Sequence, residues 1–481
     1  MKYSVVIDEK NNKTLNDFLL KETDQEDLCF ALFTISTGVV RTTYIIKQII
    51  LPENGDRNLH GNVSFNSSFF DRVTQAALKE NNGICFIHSH PFNGWQGMSH
   101  DDLTTEKMLA PRVKGATTFP LLGMTLSQDG IWSARIWIKT KPKTYDRKWC
   151  ESVRVVGQSF SIFFHEKSLP SPDFKEELKR TISAWGTYRQ SLLSRIRVGI
   201  VGLGSVGSQI AEALLRTGIM NVSLIDFDTI ERRNLDRLHS VSEKDIGYLK
   251  TEVYARKLNG QKLFHRQHMS SIPYSVVEKE GFDAVLDCDI VFCCVDRPWP
   301  RFILNMISYS CLIPVIDGGI EAGYSKKSDN LDQARWRTYT VSPGRRCMKC
   351  MGQYKPEDVS LEQTGLLEDQ KYIKGLEEGH FIKHGENVYA FSIGLVSLQI
   401  QQFLSYILQP KKFLYGPKEM DFVTGTVDSL FDFSCKENCE LADFIGIGDG
   451  IKSFLIQTHP IAEISRAKAK SYSKRLQQKL K

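Results

Sequence analysis

The run Val198-Gly-Ile-Val-Gly202-Leu-Gly204-Ser-Val-Gly207 constrains this chain more than any other stretch. An apolar strand enters a glycine loop, helix-spaced apolar residues follow, and a second apolar run, residues 222–225, ends at Asp226. Strand, glycine loop, helix and strand make a βαβ unit, which commits the surrounding chain to an α/β fold with parallel strands. Gly202, Gly204 and Gly207 let backbone approach a phosphate at the positive end of the helix, and Asp226 stands where an acid meets a ribose hydroxyl. No lysine and hydroxyl pair closes the loop, which excludes Walker-type chemistry. The pattern alone fits an NAD-dependent dehydrogenase as well as an ATP-using enzyme.

At 481 residues the chain has room for about three domains of roughly 150 residues, or for two large ones. A polar, proline-rich stretch at 166–173 reads as a linker, and a charged helix follows to about residue 194. The boundaries expected are 1–165, a linker and lead-in helix at 166–190, a second domain at 191–440, and a basic tail at 441–481. The tail reads as a solvated helix, with partner binding as the alternative. A net charge of +6 is small for this length and gives no case for nucleic acid. Eleven cysteines in a long chain without an apolar leader do not suggest a secreted disulfide framework, so a reducing cytoplasm is expected and clustered cysteines read as metal ligands. Residues 388–410 carry no charge, but Gln399, Gln401, Gln402 and Gln409 interrupt them, which favours a buried helix over a membrane span.

The first block reads as mixed α/β, with strands at 28–40, 42–50 and 84–87, a helix at 69–79, and a hairpin at 121–138 turning at Asp129-Gly130. Within it lies Ile-His88-Ser-His90-Pro, then Ser99-His-Asp-Asp102. Residues two apart on a strand share a face, so His88 and His90 can present both imidazoles together. Ser99 suits a helix N-cap, which puts Asp102 in the first turn. Two nitrogens and one carboxylate make a zinc site with one position free for water, whose pKa zinc lowers to about 7. A chance His-x-His and an ordinary capping box remain the plain alternative.

His-Ser-His-Pro followed by Ser-x-x-Asp resembles the JAMM motif of JAB/MPN metallopeptidases, with one extra residue between His90 and Ser99. The resemblance implies a mixed sheet of the cytidine-deaminase-like kind. It also implies catalytic zinc on His88, His90 and Asp102, Ser99 assisting the tetrahedral intermediate, and an upstream glutamate as general base. Glu26 is the expected base, with Glu22 its rival.

The middle of the chain, roughly 185–439, resembles ThiF/MoeB-type activating enzymes in Asp226, Asn234-x-x-Arg237, Lys250, Cys294-Val-Asp296, Cys347-x-x-Cys350 and the late pair Cys435 and Cys439. The resemblance implies a Rossmann-like domain that uses ATP and magnesium to adenylate the C-terminal glycine of a ubiquitin-like protein. Asp226 would hold the ribose, and Arg237 and Lys250 the phosphates. Asn234 would orient phosphate or Arg237, and Asp296 would bind magnesium. The four cysteines would hold structural zinc. Arg189 resembles an arginine that reaches a partner's ATP site, which implies a homodimer. Arg297 and the Cys-x-x-x-Cys spacing depart from the pattern.

No cysteine lies between Cys350 and Cys435, where thioester-forming relatives carry one. The expected function is therefore bifunctional: a peptidase that trims or removes a ubiquitin-like protein, and an adenylating domain for the same tail. A conjugating enzyme or a sulfur donor would be the further partner. Similar fusions imply a bacterial conjugation system with a role in phage defence. The alternatives are sulfur-carrier activation through a thiocarboxylate and a non-catalytic scaffold.

Overall fold

The computed structural model describes every residue except 22–24, 61, 175, 326–328, 376–386, 411–414, 430–433 and 480–481. It divides into two units. One comprises Met1–Ser171, Ser310–Leu312 and Asp443–Ile451, and the other Pro172–Tyr309, Ile313–Ala442 and Lys452–Lys481. Residues 441–481 are thus shared between both units and do not form one separate tail.

The first unit is built on a nine-stranded sheet in the order Phe160–Phe164, Ser152–Val156, Lys2–Asp8, Arg41–Ile50, Leu28–Thr37, Gly83–His90, Leu121–Ser127, Trp132–Lys141, Thr144–Trp149. Alternation along the strands sorts side chains onto two faces. Cys29, Ala31, Phe33, Cys85 and Ile87 join one core with Leu15 and Leu19 of helix Glu9–Leu19. Leu28, Phe30, Leu32, Ile84 and Phe86 join the other, against Phe69, Val73 and Ala77 of helix Ser67–Glu80 and Leu109, Ala110 and Val113 of helix His100–Thr117. Strands Gly83–His90 and Leu121–Ser127 pair in parallel, with helix His100–Thr117 as their crossover. The strand expected at 84–87 runs on to His90, because every one of its residues is buried.

Asp443–Ile451 belongs to this unit through contacts with strand Leu28–Thr37. Thr34 Oγ1 donates to Gly446 O (2.6 Å), and Thr37 N–H to Asp449 Oδ1 (2.9 Å). Gly448 has φ +59°, and a β-carbon there would lie 2.2 Å from Ile35 O, so only glycine fits.

The second unit holds an eight-stranded sheet. Its parallel part runs His268–Ile272, Asn221–Ile225, Arg197–Val201, Ile290–Cys293, Val315–Ser325, which is strand order 3-2-1-4-5. Asn330–Val341, Lys418–Asp421 and Thr426–Ser429 continue it antiparallel. In such sheets the crevice opens at the strands' carboxyl ends, where the order reverses beside Arg197–Val201. The expected charged helix is broken into Lys179–Trp185 and Thr187–Arg195, because Gly186 at φ +85° lies between them.

Helix Tyr389–Leu408 is long and apolar enough to cross a membrane, yet half of its apolar window is buried. It packs on helix Ser205–Thr217 and on strands Val315–Ser325 and Asn330–Val341. Its buried Gln399 and Gln402 donate to Cys293 O, Ile316 O and Gly416 O. Helix Pro460–Lys479 is also no free solvated helix: Ala462 and Ala469, two turns apart, are buried.

One buried charge pair ties the crossover helix of the first unit to its sheet. Glu106 and Arg135 are fully buried, Arg135 Nε donates to both Glu106 oxygens (3.0 and 3.1 Å), and Trp137 Nε1 donates to Oε2 (2.6 Å). Removing one partner strands the other charge in the core, at a cost of about 3–5 kcal/mol. Glu106→Ala should lower the stability of this unit by that order in denaturant unfolding. A loss under about 1 kcal/mol would show that the pair is not a buried anchor.

Candidate active sites

In the first unit, His88 and His90 extend the stripe begun by Ile84 and Phe86, so both rings face the side covered by helix His100–Thr117. The Phe86 and His88 ring centroids are 5.4 Å apart. The same helix face carries Asp102, Glu106, Leu109 and Val113, so its packing delivers Asp102 to the end of the strand. His88 Nε2 lies 3.1 Å from His90 Nε2 and 3.1 Å from Asp102 Oδ1, and His90 Nε2 lies 3.3 Å from Asp102 Oδ2. Donors sharing one tetrahedral ion at about 2.0–2.1 Å are separated by roughly 3.3 Å, so the three residues fit a zinc ion.

The capping box and the ligand set coexist. Ser99 Oγ accepts from Asp102 N–H (3.1 Å), and Asp102 Oδ2 accepts from Ser99 N–H (2.8 Å). Gln96, which the spacing did not single out, orients His90. Its amide nitrogen donates to the carbonyls of Phe92, Asn93 and Gly94 (3.2, 3.0 and 2.8 Å), which turns Oε1 toward His90 Nδ1 at 3.4 Å. That arrangement favours hydrogen on Nδ1 and leaves the Nε2 lone pair for an ion.

Glu26 stands beside the site, with Oε1 3.9 Å from His90 Nε2. Its neighbour Asp27 is locked to the histidine strand: Asp27 N–H donates to Ser89 Oγ and Ser89 N–H to Asp27 O, both at 3.0 Å. Glu22 lies outside the described residues. Burial pushes the Glu26 carboxyl above its ordinary value, with Asp102 adding to the rise and His90 opposing it. Burial holds His88 below its ordinary value, which favours the neutral ligand form. Asp102 also feels burial, but the two imidazoles facing it override that and hold the carboxyl far below its usual range.

In the second unit the three loop glycines have separate reasons. Gly202 has φ +92°, and a β-carbon on it would lie 2.6 Å from Cys294 O; one on Gly207 would lie 1.9 Å from Gly202 O. A β-carbon on Gly204, the N-cap of helix Ser205–Thr217, would meet nothing within 4 Å, so open space lies at the helix start. Asp226 Oδ2 accepts from Leu203 N–H (2.6 Å) and Oδ1 from Asp228 N–H (2.7 Å), tying the glycine loop to the next strand end.

Lys250 Nζ is 2.8 Å from Asp228 Oδ2 and 3.8 Å from Asp226 Oδ2. Asp228 was not foreseen, although it stands two residues beyond Asp226. Burial disfavours the Lys250 charge, but Asp226 and Asp228 outweigh it and keep the ammonium firmly protonated. Burial raises Asp226, with Lys250 opposing. Asp296 is exposed just beyond strand Ile290–Cys293, and its charge reaches Lys250.

Other expected residues are engaged elsewhere. Arg237 donates to Arg233 O (2.6 Å) and Asp236 Oδ1 (3.1 Å), and Asn234 Oδ1 accepts from Glu231 N–H (3.0 Å) as a local cap. Exposed Arg189 donates to Leu408 O. Cys347, Cys350, Cys435 and Cys439 come together with all sulfurs within 4.8 Å. Cys347 and Cys439 Sγ are 3.8 Å apart, and the N–H groups of Cys347 and Cys350 point at Cys435 Sγ (3.2 Å) and Cys347 Sγ (3.3 Å). Thiolates on one zinc at about 2.3 Å are roughly 3.8 Å apart, so this set also fits.

Beside Asp296, Glu362 accepts from Trp299 N–H (2.8 Å) at the start of helix Pro298–Ser310. Burial pushes this carboxyl up to about 7, with the Trp299 N–H opposing. Its folded value lies above the ordinary 4.5, so its contribution to stability is full below about 4.5 and is lost as pH rises through about 7. Glu362→Gln keeps an acceptor without a charge, so its stability relative to the parent should rise between pH 5 and pH 8. Equal differences at both pH values would refute the buried-carboxyl account.

A family model described as ThiF family matches residues 177–441. The adenylyltransferase and sulfurtransferase uba4 of Aspergillus clavatus is 32% identical over 150 residues, 29% of this chain and 29% of that protein. The molybdopterin-synthase adenylyltransferase of Escherichia coli is 26% identical over 181 residues, covering 37% of this chain and 68% of that one. Among solved structures, E. coli MccB with ATP is 20% identical with a TM-score of 0.40, covering 56% of this chain and 74% of that chain. The match to the first of these relatives thus spans under a third of its length.

Proposed function

The chain belongs to the ThiF family, and on that premise we propose that its second unit adenylates the C-terminal glycine of a ubiquitin-like or sulfur-carrier protein. The carrying observation is the cluster at the carboxyl ends of the parallel strands: an open helix start at Gly204, with Asp226, Lys250 and Asp296 around it. In the proposed reaction a carrier carboxylate oxygen attacks the α-phosphorus of ATP, the acyl–AMP bond forms, and pyrophosphate leaves. Helix N–H groups and Lys250 offset the charge that builds on the phosphates. Asp296 would hold magnesium, which supplies further charge neutralisation on the phosphates. Lys250 would exchange its Asp228 partner for phosphate, and Arg237 would leave its own turn to reach the same charge. Asn234, as the cap of that turn, would fix where Arg237 starts. Arg189 is the group that would reach a second copy, and the proposal extends to a cytoplasmic homodimer.

The first unit is proposed as a zinc (iso)peptidase for the same tail, acting in a bacterial conjugation pathway with a role in phage defence. Zinc held by His88, His90 and Asp102 would act as a Lewis acid and lower the pKa of a water to about 7. Glu26, raised by burial and 3.9 Å from His90 Nε2, would take a proton and pass it to the leaving amine. Ser99, at the mouth of the helix, would donate to the developing oxyanion. The four cysteines would hold a second, structural zinc.

A sulfur-carrier reading is favoured by one observation, the absence of cysteine between Cys350 and Cys435. The adenylate would then pass to a sulfur donor or a conjugating enzyme instead of to an internal thiol. A gain of sulfur on the carrier, seen by mass spectrometry, marks that outcome; a lysine conjugate excludes it.

Purified protein should hold two zinc ions per chain. A mild chelator should remove the one lost in His90→Ala and spare the one lost in Cys347→Ser; a single zinc would defeat the peptidase half. Glu26→Ala should keep both ions and lose cleavage of a ubiquitin-like fusion by a factor of about 10²–10⁴. Undiminished cleavage would remove Glu26 as the base.

A further inference from the structure

Residues 456–472 use a set of contacts that neither proposed reaction accounts for. They run over the strand ends of the second unit where Asp226, Asp228, Lys250 and Asp296 collect. Gln457 N–H donates to Val277 O (3.0 Å). Arg466 forks onto Glu278 (2.8 and 2.6 Å), donates to Pro273 O (3.2 Å), and lies 4.4 Å over the Tyr274 ring. Tyr472 meets Tyr248 edge-on at 5.7 Å and lies against Gly247, where a β-carbon would come within 2.7 Å of its ring. That loop leads directly into Lys250.

Between these anchors, His459 is buried between two aromatic rings. One is Phe227, the residue between Asp226 and Asp228, at 4.9 Å and 79°. The other is Trp299, three residues beyond Asp296, at 5.4 Å and 70°. The loop carrying Asp296 is clamped from elsewhere too, by Glu362 on Trp299 N–H and by Arg297 paired with Glu368 at 2.8 Å. The charged groups felt by His459 are Glu278, Asp228, Arg297 and Arg466. Its Nδ1 and the Trp299 Nε1 are buried without a hydrogen-bond partner among the described residues, so the ring is held by packing.

We propose that His459 is a positioning residue for the nucleotide: wedged between Phe227 and Trp299, it sets the spacing between the loop carrying Asp226 and Asp228 and the loop carrying Asp296. Resting on the adenylating reading of this site, the inference adds that residues 456–472 form a fixed strap across it. The wedge ties the strand end that carries Asp226 and Asp228, the partners of Lys250, to the loop that carries Asp296. Asp296 is the residue that would hold magnesium, so loss of the wedge should cut the advantage that magnesium gives to binding. General unfolding would instead weaken binding with and without the metal alike.

The experiment is titration of the full chain with N-methylanthraniloyl-ATP, with and without magnesium. His459→Ala should weaken binding about tenfold with magnesium and far less without it. His459→Phe, which keeps the ring and discards both nitrogens, should stay within about threefold of the parent. Arg466→Ala should fall between, because it loosens the strap two turns away. If the parent binds and His459→Ala binds equally well, the wedge is refuted and the nucleotide site stands. A His459→Phe variant as weak as His459→Ala refutes the wedge in favour of a role for the ring nitrogens. A parent that binds no nucleotide overturns the adenylating reading and this proposal together.

Discussion

A parallel pair of strands cannot be joined by a tight turn; it needs a crossover, and the crossover is right-handed. That constraint places the start of a helix above the carboxyl end of the strand it follows, and both candidate sites occupy that position. In the first unit the element trio is Gly83–His90, His100–Thr117 and Leu121–Ser127. In the second it is Arg197–Val201, Ser205–Thr217 and Asn221–Ile225. Side chains at such a junction leave the core just as the core stops, so they are firmly held yet open to a ligand. The helix start also favours negative charge, which suits Asp102 in one unit and a phosphate in the other.

The parts legible in the sequence are those set by short spacing. His88 and His90 share a face because strand side chains alternate, and Asp102 follows a cap residue by three. The two readings of Ser-x-x-Asp, cap or ligand, proved compatible because a carboxylate has two oxygens: Oδ1 faces His88 while Oδ2 accepts from Ser99 N–H and faces His90. The glycine loop announced its parallel sheet for the same local reason. Pairings between distant segments left no such trace. Gln96 is pointed by a loop of carbonyls, Glu106 meets Arg135 between helix and sheet, and Asp443–Ile451 joins the first unit. Arg237 and Asn234 fit a family spacing, yet their contacts here lie within one turn, which spacing cannot reveal.

Charge balance differs between the two sites. Around His88 and His90 stand Asp102, drawn far below its ordinary range, and Glu26, pushed above its own. Two imidazole nitrogens and a carboxylate oxygen facing one point are best satisfied by a cation. In the second unit buried Lys250 is shared by buried Asp226 and half-exposed Asp228, and Asp296 stands exposed beyond a neighbouring strand. Buried ion pairs gain little by themselves, since desolvation offsets much of the attraction. Their value here is geometric: they fix loops whose backbone must approach a phosphate closely.

If one chain prepares and then activates a single glycine-ended tail, cleavage by the first unit must precede adenylation by the second. The direct measurement compares a ubiquitin-like protein with its C-terminally extended form, each incubated with magnesium and ATP, trapping any acyl-adenylate with hydroxylamine. The parent chain should give hydroxamate from both forms, whereas His90→Ala should give it only from the form already ending in glycine. Hydroxamate from the extended form at the parent's rate in His90→Ala, or none from the trimmed form in the parent, would contradict the claim.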